Sequence, residues 1–197
     1  MSDDEVPELP EKSNRKIALF ITTLALLFAL AELGAKSSQT DAIAFNVNAA
    51  DTWAFYQAKS IKQTSLRIAA DSMEAALDPA STSDVALKQK KLITDWRTTA
   101  ERYDSDAVKG DGKKELMEKA QSFEHQRDAA MEHYHVFEMA GVVLQISVVL
   151  ASTSVVTGMS LFVILSMIGG VLGVILTTIA AFAPGLFHIV LAFFGGH

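Results

Sequence analysis

The C-terminal part of this sequence contains no acidic or basic side chain other than histidine. No Asp, Glu, Lys or Arg occurs between Met139 and His197, although the whole chain has 17 basic and 23 acidic residues. Half of the residues are hydrophobic, and the mean hydropathy of +0.25 is high for a soluble domain. This distribution excludes a single soluble globule, and the formal net charge of −6 excludes a strongly basic nucleic-acid binder.

Three segments are long and apolar enough to cross a lipid bilayer: residues 17–35, 139–157 and 160–183. A helix of about 20 residues rises about 30 Å, which matches the thickness of the hydrocarbon core. The first segment follows basic residues, as the apolar part of a signal peptide does. No convincing small-residue cleavage site ends it, so we predict an uncleaved helix. The sequence therefore predicts three transmembrane helices.

The remaining segments differ in composition. Residues 1–16 are acidic and contain two prolines, which predicts a disordered tail. Residues 184–197 are apolar but too short to span, so we expect an interfacial or re-entrant segment. Residues 36–138 carry charges of both signs and few helix breakers, which predicts an extramembrane helical domain. The chain has no cysteine, which excludes disulfides and thiolate metal sites.

Helical periodicity runs through the extramembrane domain. Breaks at residues 78–84 and 109–112 divide it into three helices, and a 4-3-4-3 run from Leu116 to Gly141 enters the second membrane segment without a breaker. The predicted fold is an all-α integral membrane protein with three transmembrane helices and an extramembrane, antiparallel, coiled-coil-like helical bundle. The first helix of this bundle is predicted from a stripe of apolar or small residues spaced in threes, fours and sevens: Val47, Ala50, Ala54, Ala58, Ile61, Ile68 and Ala76.

The basic residues around the first membrane segment predict its orientation. Lys12, Arg15 and Lys16 precede the segment closely, whereas only Lys36 closely follows it. Cytoplasmic flanks of membrane helices are enriched in Lys and Arg, and bases in loops longer than about 60 residues contribute little. We therefore expect a cytoplasmic N-terminus and a bundle on the outer side of the membrane, which in a Gram-negative cell is the periplasmic side of the inner membrane.

One segment of the predicted bundle has a distinctive composition. It reads Asp-x-Trp-Ala-x-Tyr-Gln-Ala-Lys-Ser over residues 51–60 and is called the box below. The box and the order of segments around it resemble a bacterial membrane family catalogued as domain of unknown function 4337. The resemblance implies the architecture and brings no activity, cofactor or catalytic residue.

The box permits two interpretations. Trp and Tyr dominate the energetics of many interfaces, so the box could form a recognition surface. Alternatively, its rings pack inside the bundle or between copies, against Trp96 and Tyr103 or against Tyr134 and Phe137. The candidate interaction residues are Asp51, Trp53, Tyr56, Gln57, Lys59 and Ser60.

A weak metal-site pattern occurs further along the chain. Glu132 and His135 form a Glu-x-x-His motif, and Asp128 lies one turn before it. Di-iron bundles need two such motifs and two further Glu residues, whereas this sequence contains one motif. A solvated acidic helix face is the ordinary alternative, so we predict no metal and no other cofactor.

Apart from serines and threonines, two polar residues lie within the predicted membrane segments. Glu32 is in the last turn of the first segment, and Gln145 is in the second. Carboxylates within membranes often serve proton or cation movement. A carboxylate near the interface can instead pair with a base one turn away, here Lys36. Gln145 is the expected partner if Glu32 points inward.

The third membrane segment contains small residues at four-residue spacing: Ser166, Gly169, Gly170 and Gly173. Such spacing lets membrane helices approach closely. The partner is either the second membrane helix of the same chain or another copy, and we expect a homo-oligomer.

These observations favour a non-enzymatic structural or assembly subunit that self-associates through its bundle and its third membrane helix. It would sit in the lipid bilayer, could dock a protein partner and would not bind nucleic acid. One alternative is an oligomeric channel or transporter that uses Glu32 and Gln145. Another is a metal-dependent enzyme that uses Glu132 and His135.

Overall fold

The computed structural model describes residues 12–106 and 108–183, and these residues form helices joined by short turns. The four helices of this part of the chain are α1 (Lys12–Ala76), α2 (Asp84–Asp104), α3 (Lys113–Thr157) and α4 (Ser160–Phe182). No strand occurs among the described residues, so the all-α prediction is confirmed there. Residues 12–16, assigned above to the tail, are helical, whereas the predictions for residues 1–11 and 184–197 lie outside the described residues.

Local sequence explains where the helices begin and end. α1 ends at Ala76, shortly before Pro79, which lacks a backbone N–H. The hydroxyl of Ser83 accepts a hydrogen bond from the N–H of Ala86 at 3.2 Å and caps the start of α2. Gly158, at φ +69°, forms the turn between α3 and α4.

Three of these helices are long and apolar enough to cross a membrane, judged by length and composition. The most apolar windows of α1, α3 and α4 have mean hydropathies of 2.2, 2.0 and 2.4. α1 and α3 are much longer than a bilayer needs, at 65 and 45 residues. The candidate membrane spans of α1 and α3 are therefore each part of a longer helix that continues beyond the span without a break.

The described residues form two compact units. The span unit contains the described residues up to Ala42 and from Ala129 onward, and the bundle unit runs from Ile43 to Asp128. Leu24, Leu144 and three alanines form the buried core of the span unit. In the bundle unit most of the buried hydrophobic residues are alanines, and Ile93 and Leu116 are the larger ones.

The apolar stripe of α1 in the bundle unit is not its packed face. Val47, Ile61 and Ile68 are 51%, 67% and 60% exposed. The buried residues lie on the other side of the helix: Ala49, Lys59, Gln63 and Ala70. Here small alanines permit close packing, and the buried polar groups have partners on neighbouring segments.

Candidate functional site

The rings of the box contact each other and α3 within the bundle unit. The indole Nε1–H of Trp53 donates a hydrogen bond to Oε1 of Glu124 at 2.9 Å. Trp53 and Tyr56 meet edge to face, with centroids 5.5 Å apart and planes at 78°. Such a pair adds attraction beyond the buried area of its rings. Trp53 therefore links the box to α3 rather than pointing freely into solvent.

Lys59 is the most deeply buried side chain of the box. The residue is 7% exposed, and its ammonium forms a 2.9 Å ion pair with Asp111 in the turn before α3. The ammonium also lies over two rings, 5.4 Å from the centroid of Phe55 and 5.6 Å from that of Tyr103. A buried charge is tolerated when it is paired, and cation–π contacts add to the pairing. The hydrogen bond from Lys59 lowers the pKa of the Asp111 carboxyl below its ordinary value.

Gln63, one turn after Lys59, continues this set of buried polar contacts. Its Nε2 donates to the carbonyl of Ala100 on α2 at 2.8 Å, and its Oε1 accepts from Nζ of Lys113 on α3 at 2.9 Å. The Lys113 ammonium also lies 5.5 Å from the Tyr56 ring centroid. One amide therefore bridges α1 to both other helices of the unit.

Together these side chains form what we call the polar cluster: Trp53, Lys59, Gln63, Asp111, Lys113 and Glu124. Sequence reasoning identified Trp53 and Lys59 but missed the other four members. Gln63 lies seven residues after Tyr56, and that heptad spacing was the available signal. The positions of Asp111, Lys113 and Glu124 opposite the box depend on how the chain folds back, which periodicity does not reveal.

The turn between α2 and α3 is held closely around the polar cluster. The Ser105 hydroxyl donates to Oε1 of Glu115 at 2.5 Å, and this hydrogen bond lowers the pKa of the Glu115 carboxyl. Gly112 is buried, and a Cβ there would overlap the backbone of Ser105 and Asp106. The turn that carries Asp111 therefore requires glycine at position 112.

The other box residues lie elsewhere on α1. Asp51 and Gln57 are exposed, and Ser60 is half-buried. The predicted interaction surface is therefore divided. Trp53, Tyr56 and Lys59 contact α3 or the turn before it. Asp51 and Gln57 are exposed and take no part in these contacts.

Glu32 of the span unit is exposed beside α3. Its Oε1 is 3.0 Å from the point where a Cβ on Gly141 would lie. Gln145, one turn further along α3, is exposed as well. The hydrogen bonds and ion pairs of the described residues include none that joins Glu32 to Gln145 or to Lys36. The two predicted partnerships of Glu32 are therefore not formed in this structure.

The small residues of α4 pack against the same chain. The Ser166 hydroxyl donates to the carbonyl of Ser147 on α3 at 2.7 Å. A Cβ on Gly173 would lie 2.5 Å from Cγ of Leu144, and one on Gly170 would lie 2.8 Å from Leu24. A Cβ on Gly169 would overlap the Ser147 hydroxyl. This face of α4 thus serves contacts inside the chain, so it does not present a free surface to another copy.

A histidine side chain of α3 hydrogen-bonds to a backbone carbonyl in the last turn of α4. The ring Nδ1 of His133 lies 2.7 Å from the carbonyl oxygen of Ala180. The residue four positions after Ala180 is Pro184, which has no N–H to offer that carbonyl. His133, with Nδ1 protonated, is the donor that replaces the missing backbone bond.

The weak metal-site candidates do not converge. Asp128 pairs with its neighbour Arg127 at 2.8 Å, and Nδ1 of His135 lies 3.8 Å from Oε2 of Glu138. In the described part of the chain, no three His, Asp or Glu side chains are grouped so that they could hold a metal ion. Glu132, His135 and Asp128 therefore do not form a ligand set.

The fold defines a helical protein with three candidate membrane spans and a polar-cored bundle unit. Its sequence matches the family model described as a domain of unknown function, DUF4337, over residues 13–183. The chain therefore belongs to the DUF4337 family. No curated protein and no solved structure matches it.

Proposed function

We propose that this protein is a non-enzymatic, membrane-anchored structural or assembly subunit that self-associates through its bundle unit. In this proposal α1, α3 and α4 cross the bacterial inner membrane. The N-terminus is cytoplasmic and the bundle unit lies in the periplasm or outside the cell. The lipid bilayer and further copies of the chain are its partners.

The observation that carries the proposal is the use of the box within the bundle unit. Lys59, the box residue best suited to chemistry, is buried, paired with Asp111 and covered by two rings. The Trp53 indole is bonded to Glu124. These contacts link three helices and use the Lys59 ammonium and the Trp53 indole within the bundle unit, as expected of a rigid support.

Self-association is supported by what the bundle unit leaves uncovered. Large apolar side chains of α1 are more than half exposed, among them Ile43 at 60% and Ile61 at 67%. Exposed apolar surface on a soluble part of a protein commonly marks an interface. The small-residue face of α4 is occupied within the chain, so the proposal assigns association between copies to the bundle.

The mass of the purified full-length protein tests the proposal. Size-exclusion chromatography with light scattering in detergent should give a protein mass of two or more chains of 21.3 kDa, falling to one chain on dilution. A single-chain mass at every concentration would contradict self-association.

Orientation is tested separately with Ser37→Cys and Ser122→Cys, because the chain has no native cysteine. Membrane-impermeant maleimide should label both in spheroplasts.

A channel or transporter is the second candidate, and one observation favours it. Glu32 and Gln145 are both exposed on helices apolar enough to span a membrane. A carboxylate facing lipid is costly, so water or another copy would face Glu32. Ion flux into proteoliposomes, compared between wild type and Glu32→Gln, tests this candidate. Flux that is absent, or equal in both proteins, would exclude a path through Glu32.

A further inference from the structure

The outward face of α1 in the bundle unit has an unusual composition for a helix surface in water. It contains ten positions that alternate four and three residues apart, and all ten are exposed. We call them the outer seam: Ile43, Val47, Ala50, Ala54, Gln57, Ile61, Thr64, Ile68, Asp71 and Ala75. Seven of these ten residues are apolar, and the one charged member, Asp71, is already paired with Arg97 at 3.0 Å.

The outer seam is a second seven-residue repeat on the same helix. The buried repeat contains Ala49, Gln63 and Ala70, of which Gln63 is hydrogen-bonded to α2 and α3. The seam residues are exposed, and near one end of the seam Asp71 pairs with Arg97 of α2. A solvated helix normally places polar residues opposite its buried face. The exposed faces of α2 and α3 in this unit do so, with side chains such as Lys88, Lys91 and Glu118.

We propose that the outer seam binds the outer seam of a second copy of this chain, in a parallel and in-register pair of α1 helices. This inference rests on the proposed function and specifies its interface. Val47, Ile61 and Ile68 fall at one of the two alternating positions, where β-branched residues favour two parallel strands. Ala50 and Ala54 allow close approach at one end of the seam.

Two further features fit a parallel pair. Gln57 lies within the seam, where its amide can hydrogen-bond to the same residue of the second copy. A polar residue that meets its own counterpart in one register disfavours the other registers. Chains anchored in one membrane with one orientation also present their α1 helices in the same direction.

The charges beside the seam favour a second copy over a lipid surface. Helices that lie on membranes carry Lys and Arg along the borders of their apolar face. The residues that border this seam on one side are Ala44, Asp51, Ala58, Ser65 and Ser72, and they include no base. Asp51 and Glu74 outnumber Arg67 among all bordering charges. Borders with few charges let identical helices meet with little repulsion, and their slight acidic excess does not attract anionic lipid.

Cysteine cross-linking of the full-length protein in liposomes tests the orientation. In a parallel in-register pair each seam residue faces its own counterpart, so Ala54→Cys and Ile61→Cys should each give a disulfide-linked dimer on mild oxidation. Ser122→Cys, exposed on α3, is the matched control and should give little. An antiparallel pair would join a position to its counterpart only near the centre of the overlap. Strong cross-linking of one seam variant alone would therefore overturn the parallel arrangement.

Substitution of seam residues by lysine tests how much the outer seam contributes to the affinity between copies. The double variant Ile61→Lys with Ile68→Lys should raise the dissociation constant of the dimer at least tenfold, measured by dilution in detergent. The control Gln121→Lys, on the exposed face of α3, should leave the dissociation constant unchanged, and circular dichroism should show equal helicity in all three proteins.

If the wild type has an oligomeric mass but neither seam cysteine cross-links, the outer seam is not the interface and self-association stands. If the wild type has a single-chain mass, both proposals fail.

Discussion

The span unit and the bundle unit differ in the polar side chains that they bury, which are serines in the first and Lys59 with Gln63 in the second. In the span unit the largest fully buried side chains include Leu24 and Leu144, and much of the exposed surface is apolar, as in helices that face lipid. In the bundle unit Lys59 and Gln63 are buried, while Ile61 and Ile68 of the same helix are exposed. Apolar surface on the first unit is covered by lipid if it spans a membrane. Apolar surface on the second unit is the surface to which we assign the proposed association between copies.

The largest expected effect comes from removing the buried cation of the bundle unit. Lys59→Ala abolishes the ion pair with Asp111 and both cation–π contacts, and it leaves a void between α1 and the turn. We expect the free energy of unfolding to fall by about 2 to 3 kcal/mol. Denaturant unfolding of the full chain in detergent, followed by circular dichroism, measures this loss.

Lys62→Ala is the matched control, because Lys62 is exposed three residues further along the same helix. It should change stability by less than about 0.5 kcal/mol. Equal losses in both variants would show that the bundle does not depend on its buried polar contacts.

In the span unit the matching test is a substitution that adds bulk where α4 packs closely against α3. Gly173→Leu places a side chain where Leu144 already packs, so α3 and α4 must separate. Overpacking of this kind costs about 1 to 3 kcal/mol. A lower thermal denaturation temperature in detergent is the expected readout. Val174→Leu, one residue later and 40% exposed, should leave the temperature almost unchanged.

A smaller effect is expected at the end of α4. His133→Leu keeps a similar bulk but removes the donor to the Ala180 carbonyl, which Pro184 cannot satisfy. An unpaired buried polar group costs about 1 to 3 kcal/mol, and the lower part of that range applies at this half-buried position. Hydrogen exchange of the last turn of α4 should rise in the variant. His125→Leu, on the exposed surface of α3, should leave exchange in α4 unaffected.

The smallest expected effect is the pH dependence of the bundle unit. The pKa values of Asp111 and Glu115 are lowered in the folded protein, by Lys59 and by the Ser105 hydroxyl. Their contribution to stability is therefore complete above the ordinary carboxyl pKa of about 4 and is lost as pH falls through the lower folded values. The denaturation temperature should fall between pH 5 and pH 2. Asp111→Asn should be less stable at pH 7 and show a shallower decrease, and an unchanged slope would contradict the contribution of the ion pair.

Much of the architecture could be predicted from the sequence because it depends on local properties. The charge-free C-terminal segments, the break before Pro79 and the turn at Gly158 are direct consequences of side-chain polarity and backbone freedom. The box was recognised as a distinctive segment for the same reason. The partners of the box were not predicted, since Asp111 and Glu124 lie far from it along the chain.

The packed face of α1 shows where local reasoning ends. Two seven-residue repeats run along this helix, one of alanines with Lys59 and Gln63 and one that includes Val47, Ile61 and Ile68. Both have helical spacing, and hydropathy favours the second. The amino-acid sequence by itself determined the helices, the breaks between them and the apolar segments. Only the tertiary structure decided which repeat is buried, because burial of Lys59 and Gln63 is stable only once Asp111, Lys113 and the Ala100 carbonyl are brought to them.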